Sequence, residues 1–514
     1  MNQRFLSMSI ALTVALCFAP WMAAQDLNKS QLTLDQAIDM ALENNLDIVV
    51  SRLGTQAQAE NVFAARGAFK PLFSANINTF ESQSPTNNQL AGALVTETTR
   101  STYDFTWQQQ LSFGLGYSVS FENLQSTTNS AFWTFNPQFD TGIRAQVQQP
   151  LLKNLNLNLN QQRVVTARNN ERVARHQFET QVMDVVRDVM NAYLDLIQSI
   201  RGLDVAQRSL ELAQNLLRNN RVQVEVGTMA PIDVLEAEAE VARREEGVIV
   251  AQEAIGNNED RLKRLINDPS SDEFWTVGIE PTDEPIETEF DIDVEEAVRV
   301  ALERRPELEQ SRVNLDTRDY NVRYTRNQTR PQVDLVGSLN YTGLGGTRFV
   351  RDGFAGDIIA EIPGGYPDAL TQMFQGDFRN WSVGLQVSYP IGQSTEIAQH
   401  AQAQVEFRQQ RATIENQELL ITQEVRAAAR AVDTNRRRIQ TTRVARELAQ
   451  RRLDAEEKKF EVGMSTSFFI VQAQRDLTEA AANEVIALIE YNKALVNFQR
   501  AQGTVLDRRN ITVQ

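Results

Sequence analysis

Cysteine and histidine are nearly absent. The chain of 514 residues has one cysteine, Cys17, and two histidines, His176 and His400. One cysteine excludes a disulfide framework and a thiolate metal site. The two histidines lie far apart in charged stretches, so no histidine-centred catalytic group is expected. Basic charge is also in deficit, with 51 Lys and Arg against 67 Asp and Glu and a net charge of −16. That balance argues against nucleic acid as a partner. Beyond the first two dozen residues no apolar run is long enough for a transmembrane helix. No nucleophile–base pairing, ligand cluster or glycine-rich phosphate loop is present. The reading is therefore of a protein that is not an enzyme and takes no cofactor or metal. With 42% hydrophobic residues, the chain has enough apolar side chains to fold.

Residues 1–24 read as a secretory signal peptide. Arg4 precedes the apolar run Phe5 to Met22, and the small residues Ala23 and Ala24 form the exit. Cleavage after Ala24 removes one positive charge and leaves a cysteine-free chain of net charge −17. Leu16, bulky and just before Cys17, argues against lipidation at that thiol.

The mature sequence repeats itself once. Leu34–Asn45 resembles Val294–Arg305 at an offset of 260, held without a gap to Pro71 and Pro331. Ile143–Pro150 matches Val383–Pro390, and Val224–Gly227 matches Phe460–Gly463, in the same order. One duplicated unit is expected. The first repeat covers 25–268: a short helix, a β region at 72–151, a long helix, a turn at 225–231 and a medium helix. The second covers 294–504, with its β region at 332–391 and its turn at 461–467. Between them, 269–293 reads as a solvated acidic linker, and 505–514 as a C-terminal tail.

The helices have matched lengths. The short ones are expected over 34–69 and 294–329, each stopping before a proline. Long ones are expected over 157–224 and 397–461, and medium ones over 231–267 and 466–503. A long helix would extend about 100 Å, and a short plus a medium about as much. The stripe Phe178, Val182, Val185, Val189, Ala192, Leu196 has coiled-coil spacing.

The β regions look membrane-facing. From Tyr103 to Phe121 the odd positions are apolar with one lapse, at Gln109, and the even ones polar. That pattern fits a strand with lipid on one side and water on the other. Residues 73–139 hold twelve aromatics and 140–273 only two, as expected of membrane-interface girdles. Stretches 83–101 and 342–380 read as loops. Each region must cross an even number of times: two strands in the second half, and two in the first, or four if Gly114 or Gly116 marks a hairpin. So few strands cannot close a barrel in lipid, which tolerates no open edge. The barrel is therefore shared between copies of the chain.

With these features the chain resembles the TolC-like outer membrane efflux proteins. The resemblance rests on the repeat, the Val226-Gly227 and Val462-Gly463 turns, and the strand ends at Pro150 and Pro390. Leu262–Ile266, Tyr491–Leu495 and Gly503-Thr504 add to it. It implies a mixed α and β membrane protein: a homotrimer whose shared 12-stranded transmembrane barrel continues as a long periplasmic α-helical barrel of coiled-coil hairpins. It implies an outer membrane channel that passively exports small molecules or proteins. Partners would be a periplasmic adaptor, an inner-membrane transporter and outer membrane lipid. Val226, Gly227, Val462 and Gly463 become the periplasmic tip where the adaptor docks. Asp233 matches an acidic position that helps hold the closed state. At the second turn Phe460, Ser465, Phe469 and Gln472 stand where the best-known member has tyrosine, arginine and two pore-facing aspartates. An apolar gate from Phe468 and Phe469 is one reading of that departure; packing of these rings between helices is the other. The rival function, a non-conducting coiled-coil tether between envelope layers, accounts for the helices but not for the alternating aromatic strands.

Overall fold

The computed structural model describes residues 29–86, 91–155, 157–267, 274–288, 291–353, 356–392, 394–509 and 511–512. The expected signal peptide lies outside them, as does part of the acidic linker. In chain order the first elements are β1 (Lys29–Leu32), α1 (Leu34–Asn44), α2 (Leu46–Gly67), β2 (Leu72–Pro85), β3 (Val95–Gln110), β4 (Gly116–Thr128), β5 (Phe135–Pro150), α3 (Leu157–Asn160), α4 (Gln162–Glu225), α5 (Pro231–Ile266) and β6 (Gly278–Pro281). Then come α6 (Val294–Arg304), α7 (Pro306–Gln328), β7 (Gln332–Arg351), β8 (Ile358–Ile362), α8 (Tyr366–Gln375), β9 (Phe378–Ser388), α9 (Ser394–Glu461) and α10 (Ser467–Gln502). No helix among the described residues is long and apolar enough to cross a membrane.

The chain forms two compact units. One comprises residues up to 45, 186–289 and 433–496. It is helical apart from β1 and β6, which pair in parallel from Lys29↔Gly278 to Leu32↔Pro281. α1 starts at a capping box: Thr33 Oγ1 accepts from the Gln36 N–H, and Gln36 Oε1 from the Thr33 N–H. Tyr193, 1% exposed, fastens the strand pair. Its hydroxyl lies 2.9 Å from the Leu32 carbonyl oxygen and 2.8 Å from Asp283 Oδ2, and accepts from the Thr282 and Asp283 N–H groups. Burial, reinforced by the Asp283 carboxylate, pushes this phenol up to about 12.

The second unit comprises 46–185, 290–432 and 497–514. Its centre is an antiparallel sheet in the order β2-β3-β4-β5-β7, with β8 and β9 on the remaining side of β7. β9 pairs with the first part of β7 and β8 with the last. The register aligns Phe73, Trp107, Val119, Ala145, Leu339 and Trp381 in one row across six strands. All are odd-numbered and share one face. The opposite face carries Asp104, Gln108, Ser118, Ser120, Arg144 and Gln146. Every residue of edge strand β9 is exposed, as is nearly all of β2 at the other edge. The helices of this unit are joined by an ion network around the buried Arg305 and Arg500. Glu307 accepts from Arg500 Nη2 at 2.7 Å and Arg305 Nη2 at 3.1 Å, while Arg500 Nε reaches Asp184 at 2.8 Å and Arg305 also bonds Glu424.

Several expectations are corrected. The short helices are each broken in two, at Asn45 and at Arg305, both in extended conformation. Pro306 explains the second break, since it suits a first helical position. At the first, the Asn45 side chain donates to the Leu265 carbonyl at 2.8 Å instead of continuing the helix. Of the two counts left open for the first β region, four strands is the one found, with Gly114 at φ +99° in the β3–β4 turn. Most of 83–101 is strand, because β2 and β3 stay paired as far as Pro85↔Val95. The glycine-rich 342–380 is no loop: it holds the end of β7, all of β8 and α8, and the start of β9. The sheet has seven strands, six of them abreast from β2 to β9. The long helices begin at Gln162, after the short α3, and at Ser394. The acidic linker contributes β6, and the tail is docked, with Val505 and Leu506 buried.

Candidate functional site

Both helical hairpins turn in the same way, and the local sequence explains why. α4 ends at Glu225; Gly227 follows at φ +79°, donating to the Val224 carbonyl at 3.0 Å, and Thr228 N–H reaches Gln223 O at 2.9 Å. α9 ends at Glu461; Gly463 sits at φ +78°, donating to Phe460 O at 3.0 Å, and Met464 N–H reaches Lys459 O at 2.7 Å. These are left-handed glycine caps that satisfy the last helical carbonyls. Nothing stands within 4 Å of where a Cβ would lie at either glycine, so backbone conformation rather than space requires them. Pro231 then starts α5.

Apolar side chains remain at the surface around these turns. Val226 is 67% exposed, Val462 70% and Met464 78%. Phe468 and Phe469, in the first turn of α10, are also exposed and meet edge to face, with centroids 5.6 Å apart. Phe460 behaves differently. It packs on the buried cluster of Leu216, Leu453, Ile470 and Ala473 and so belongs to the core of the hairpins.

The polar candidates fall into three places. Asp233 faces α10: its Oδ1 accepts from Ser467 Oγ at 3.1 Å, and its backbone carbonyl from Asn220 Nδ2 at 3.2 Å. Ser467 is 4% exposed, so this contact ties the start of α5 to the start of α10. Ser465 stays within its own hairpin, donating to Glu456 Oε2 at 2.9 Å. Lys459 and Ser465 together hold the Glu456 carboxyl below its usual range. Gln472 bonds Asp476 one turn along α10, at 2.9 Å.

One group here escapes a reading of the sequence. Glu240 on α5 is 3% exposed and accepts from three guanidiniums: Arg475 at 2.6 Å, Arg244 at 2.8 Å and Arg243 at 3.1 Å. Burial alone would raise its pKa. The Arg475 hydrogen bond and the three positive charges outweigh that and lower it. The spacing of Glu240, Arg243 and Arg244 is visible as neighbours on one helix face. Arg475, 235 residues further on, is not.

Known proteins resemble this chain in sequence or in fold. The family model described as outer membrane efflux protein matches residues 297–504. Outer membrane protein TolC of Escherichia coli (strain K12) is 24% identical over 331 residues, which is 64% of this chain and 63% of TolC. The chain thus matches less than two thirds of that relative's length. Among solved structures, the Campylobacter jejuni CmeC outer membrane channel aligns with a TM-score of 0.66 at 15% identity, over 98% of this chain and 94% of that one. The open state of the Neisseria gonorrhoeae MtrE outer membrane channel aligns with a TM-score of 0.62 at 16% identity, over 92% and 89%. At those identities the structures speak for the fold. The chain is thus similar to the outer membrane efflux proteins through its segment 297–504, and to TolC over 331 residues.

Proposed function

We propose that this chain is an outer membrane channel for passive export of small molecules or proteins. It sits in the outer membrane with a large periplasmic extension. The observation that carries the reading is the aligned apolar row across six strands, with a polar opposite face and an open edge at each side. Lipid accepts the apolar face and water the polar one. Lipid does not accept open edges, so β2 of one copy would pair with β9 of the next in a homotrimer. The repeated helical hairpins of the copies would then close into an α-helical barrel. A tether between envelope layers would need the helices but not a sheet with one apolar and one polar face.

The turns are the proposed tip. Exposed Val226 and Val462, presented by the caps at Gly227 and Gly463, offer an apolar docking surface to a periplasmic adaptor coupled to an inner-membrane transporter. Phe468 and Phe469 are the proposed gate, supported by their exposure in the single chain. Asp233 steadies that gate through Ser467. Ser465 and Gln472 act within their own hairpin, and Phe460 supports the gate by packing on the cluster that Leu216 of the first hairpin shares with the second.

Planar-bilayer conductance of the purified mature protein tests the reading, with its mass in detergent measured on the same preparation. Discrete channel events from a trimer are expected. A water-soluble oligomer that never enters the bilayer would refute it.

A further inference from the structure

α8 rests on the apolar face of the sheet. It approaches β7 at Gly343 and Gly345, where a Cβ would meet the Ala369 carbonyl oxygen at 1.9 Å and the Gly365 carbonyl oxygen at 2.3 Å. Both glycines are odd-numbered and lie on the face of Leu339 and Trp381. Ala369 and Met373 are buried beneath the helix, while Phe374 is 72% exposed. At the start of the helix Tyr366 leans away from β7 over β4 and β5. Its hydroxyl donates to Asn123 Oδ1 at 2.9 Å, and its ring lies 6.0 Å from that of Phe139.

Between Tyr366 and the strands is a cavity of about 380 Å³, walled by Tyr103, Phe105, Phe121 and Phe139, with the β4 stretch Asn123, Leu124 and Gln125 completing its lining. That volume lies at the lower end of the roughly 300–1,000 Å³ of ligand pockets. We propose that it holds an acyl chain of an outer-leaflet lipid. The proposal rests on the channel reading, which turns this face to the bilayer. Three observations select the occupant. The lining has no charged side chain, so nothing there would neutralise a phosphate or an ionic peptide. Its buried polar residue is already engaged, because Asn123 Nδ2 donates to the Tyr103 carbonyl at 2.9 Å and its Oδ1 accepts from Tyr366. A polar guest would find few partners and lose its hydration. Phe105 and Phe121 also lie beside Trp107 and Val119 on the same face, so the groove opens onto apolar surface on that side.

The test uses the mature protein in vesicles of palmitoyl-oleoyl phosphatidylcholine, extracted into detergent and weighed by native mass spectrometry. The expected result is one retained phosphatidylcholine per chain. Phe121→Trp, which fills the cavity, and Tyr366→Ala, which removes its roof, should each lower retention about tenfold or more, equivalent to a tenfold change in dissociation constant. Val383→Ala, on the same face outside the groove, should leave retention unchanged. Assembly mass, read in the same spectra, separates lost lipid from a failure to fold. No retained lipid in the unaltered protein, or full retention in correctly assembled Phe121→Trp and Tyr366→Ala, would overturn the groove while leaving the channel standing. Protein that does not float with the vesicles would sink the channel reading itself.

Discussion

Glu307 lies between two guanidiniums, and that position sets its ionisation. Burial would raise its pKa, but hydrogen bonding from Arg305 and the charges of Arg500 and Arg305 bring it from 4.5 to about 2. A carboxylate with a depressed folded pKa stabilises the fold above its unfolded value. That contribution fades as pH falls from 4.5 toward 2, and is worth about 3 kcal/mol in full. Glu307→Gln should therefore melt lower at pH 6 and show a flatter pH dependence below pH 4.5, as followed by circular dichroism. At the turns, Phe469 is 51% exposed, too open for a core side chain of this hairpin. Phe469→Ala is expected to raise the open probability of single channels. Unchanged opening would instead favour packing of the ring between helices in the assembly.

Among the elements, α8 is held by backbone proximity. Gly343→Ala would place a methyl group inside contact distance of the Ala369 carbonyl oxygen, so the helix must lift. Limited proteolysis should then cut within 363–377 several-fold faster, while the helical melting of the protein stays as before. Some elements are legible in the sequence and others are not, for physical reasons. The stops near Pro71 and Pro331, the Pro231 start and the two Val-Gly turns are readable because glycine and proline act locally. The strand alternation from Tyr103 to Phe121 is readable because its period is two. The break at Asn45 is not, since its cause is a carbonyl 220 residues away. Nor are β1 and β6, four residues each, too short for any period to register. α8 hides within a glycine-rich stretch; those glycines admit the helix rather than mark a loop. In the candidate site, the caps are visible in sequence, whereas the Ser467–Asp233 and Arg475–Glu240 contacts join helices far apart along the chain.

For the whole molecule, strand number would set the size of the proposed pore. A 12-stranded barrel from three chains takes four strands from each, and this chain's seven-stranded sheet sets six abreast, since β8 and β9 share one side of β7. Three copies would bring eighteen strands, in the range where barrels leave an aqueous channel; two copies would bring twelve. The detergent mass proposed above decides between them, and a trimer with the conductance of a wide pore is the expected outcome. The β1–β6 pairing has a consequence in time. β1 begins at Lys29, and its partner ends at Pro281. Synthesis runs from the amino terminus, so β1 waits unpaired until about 250 further residues have been made. The Tyr193 clasp waits with it, since Asp283 comes later still. The first unit therefore closes late, and a nascent chain halted before residue 278 would leave its leading strand open to whatever chaperone attends it.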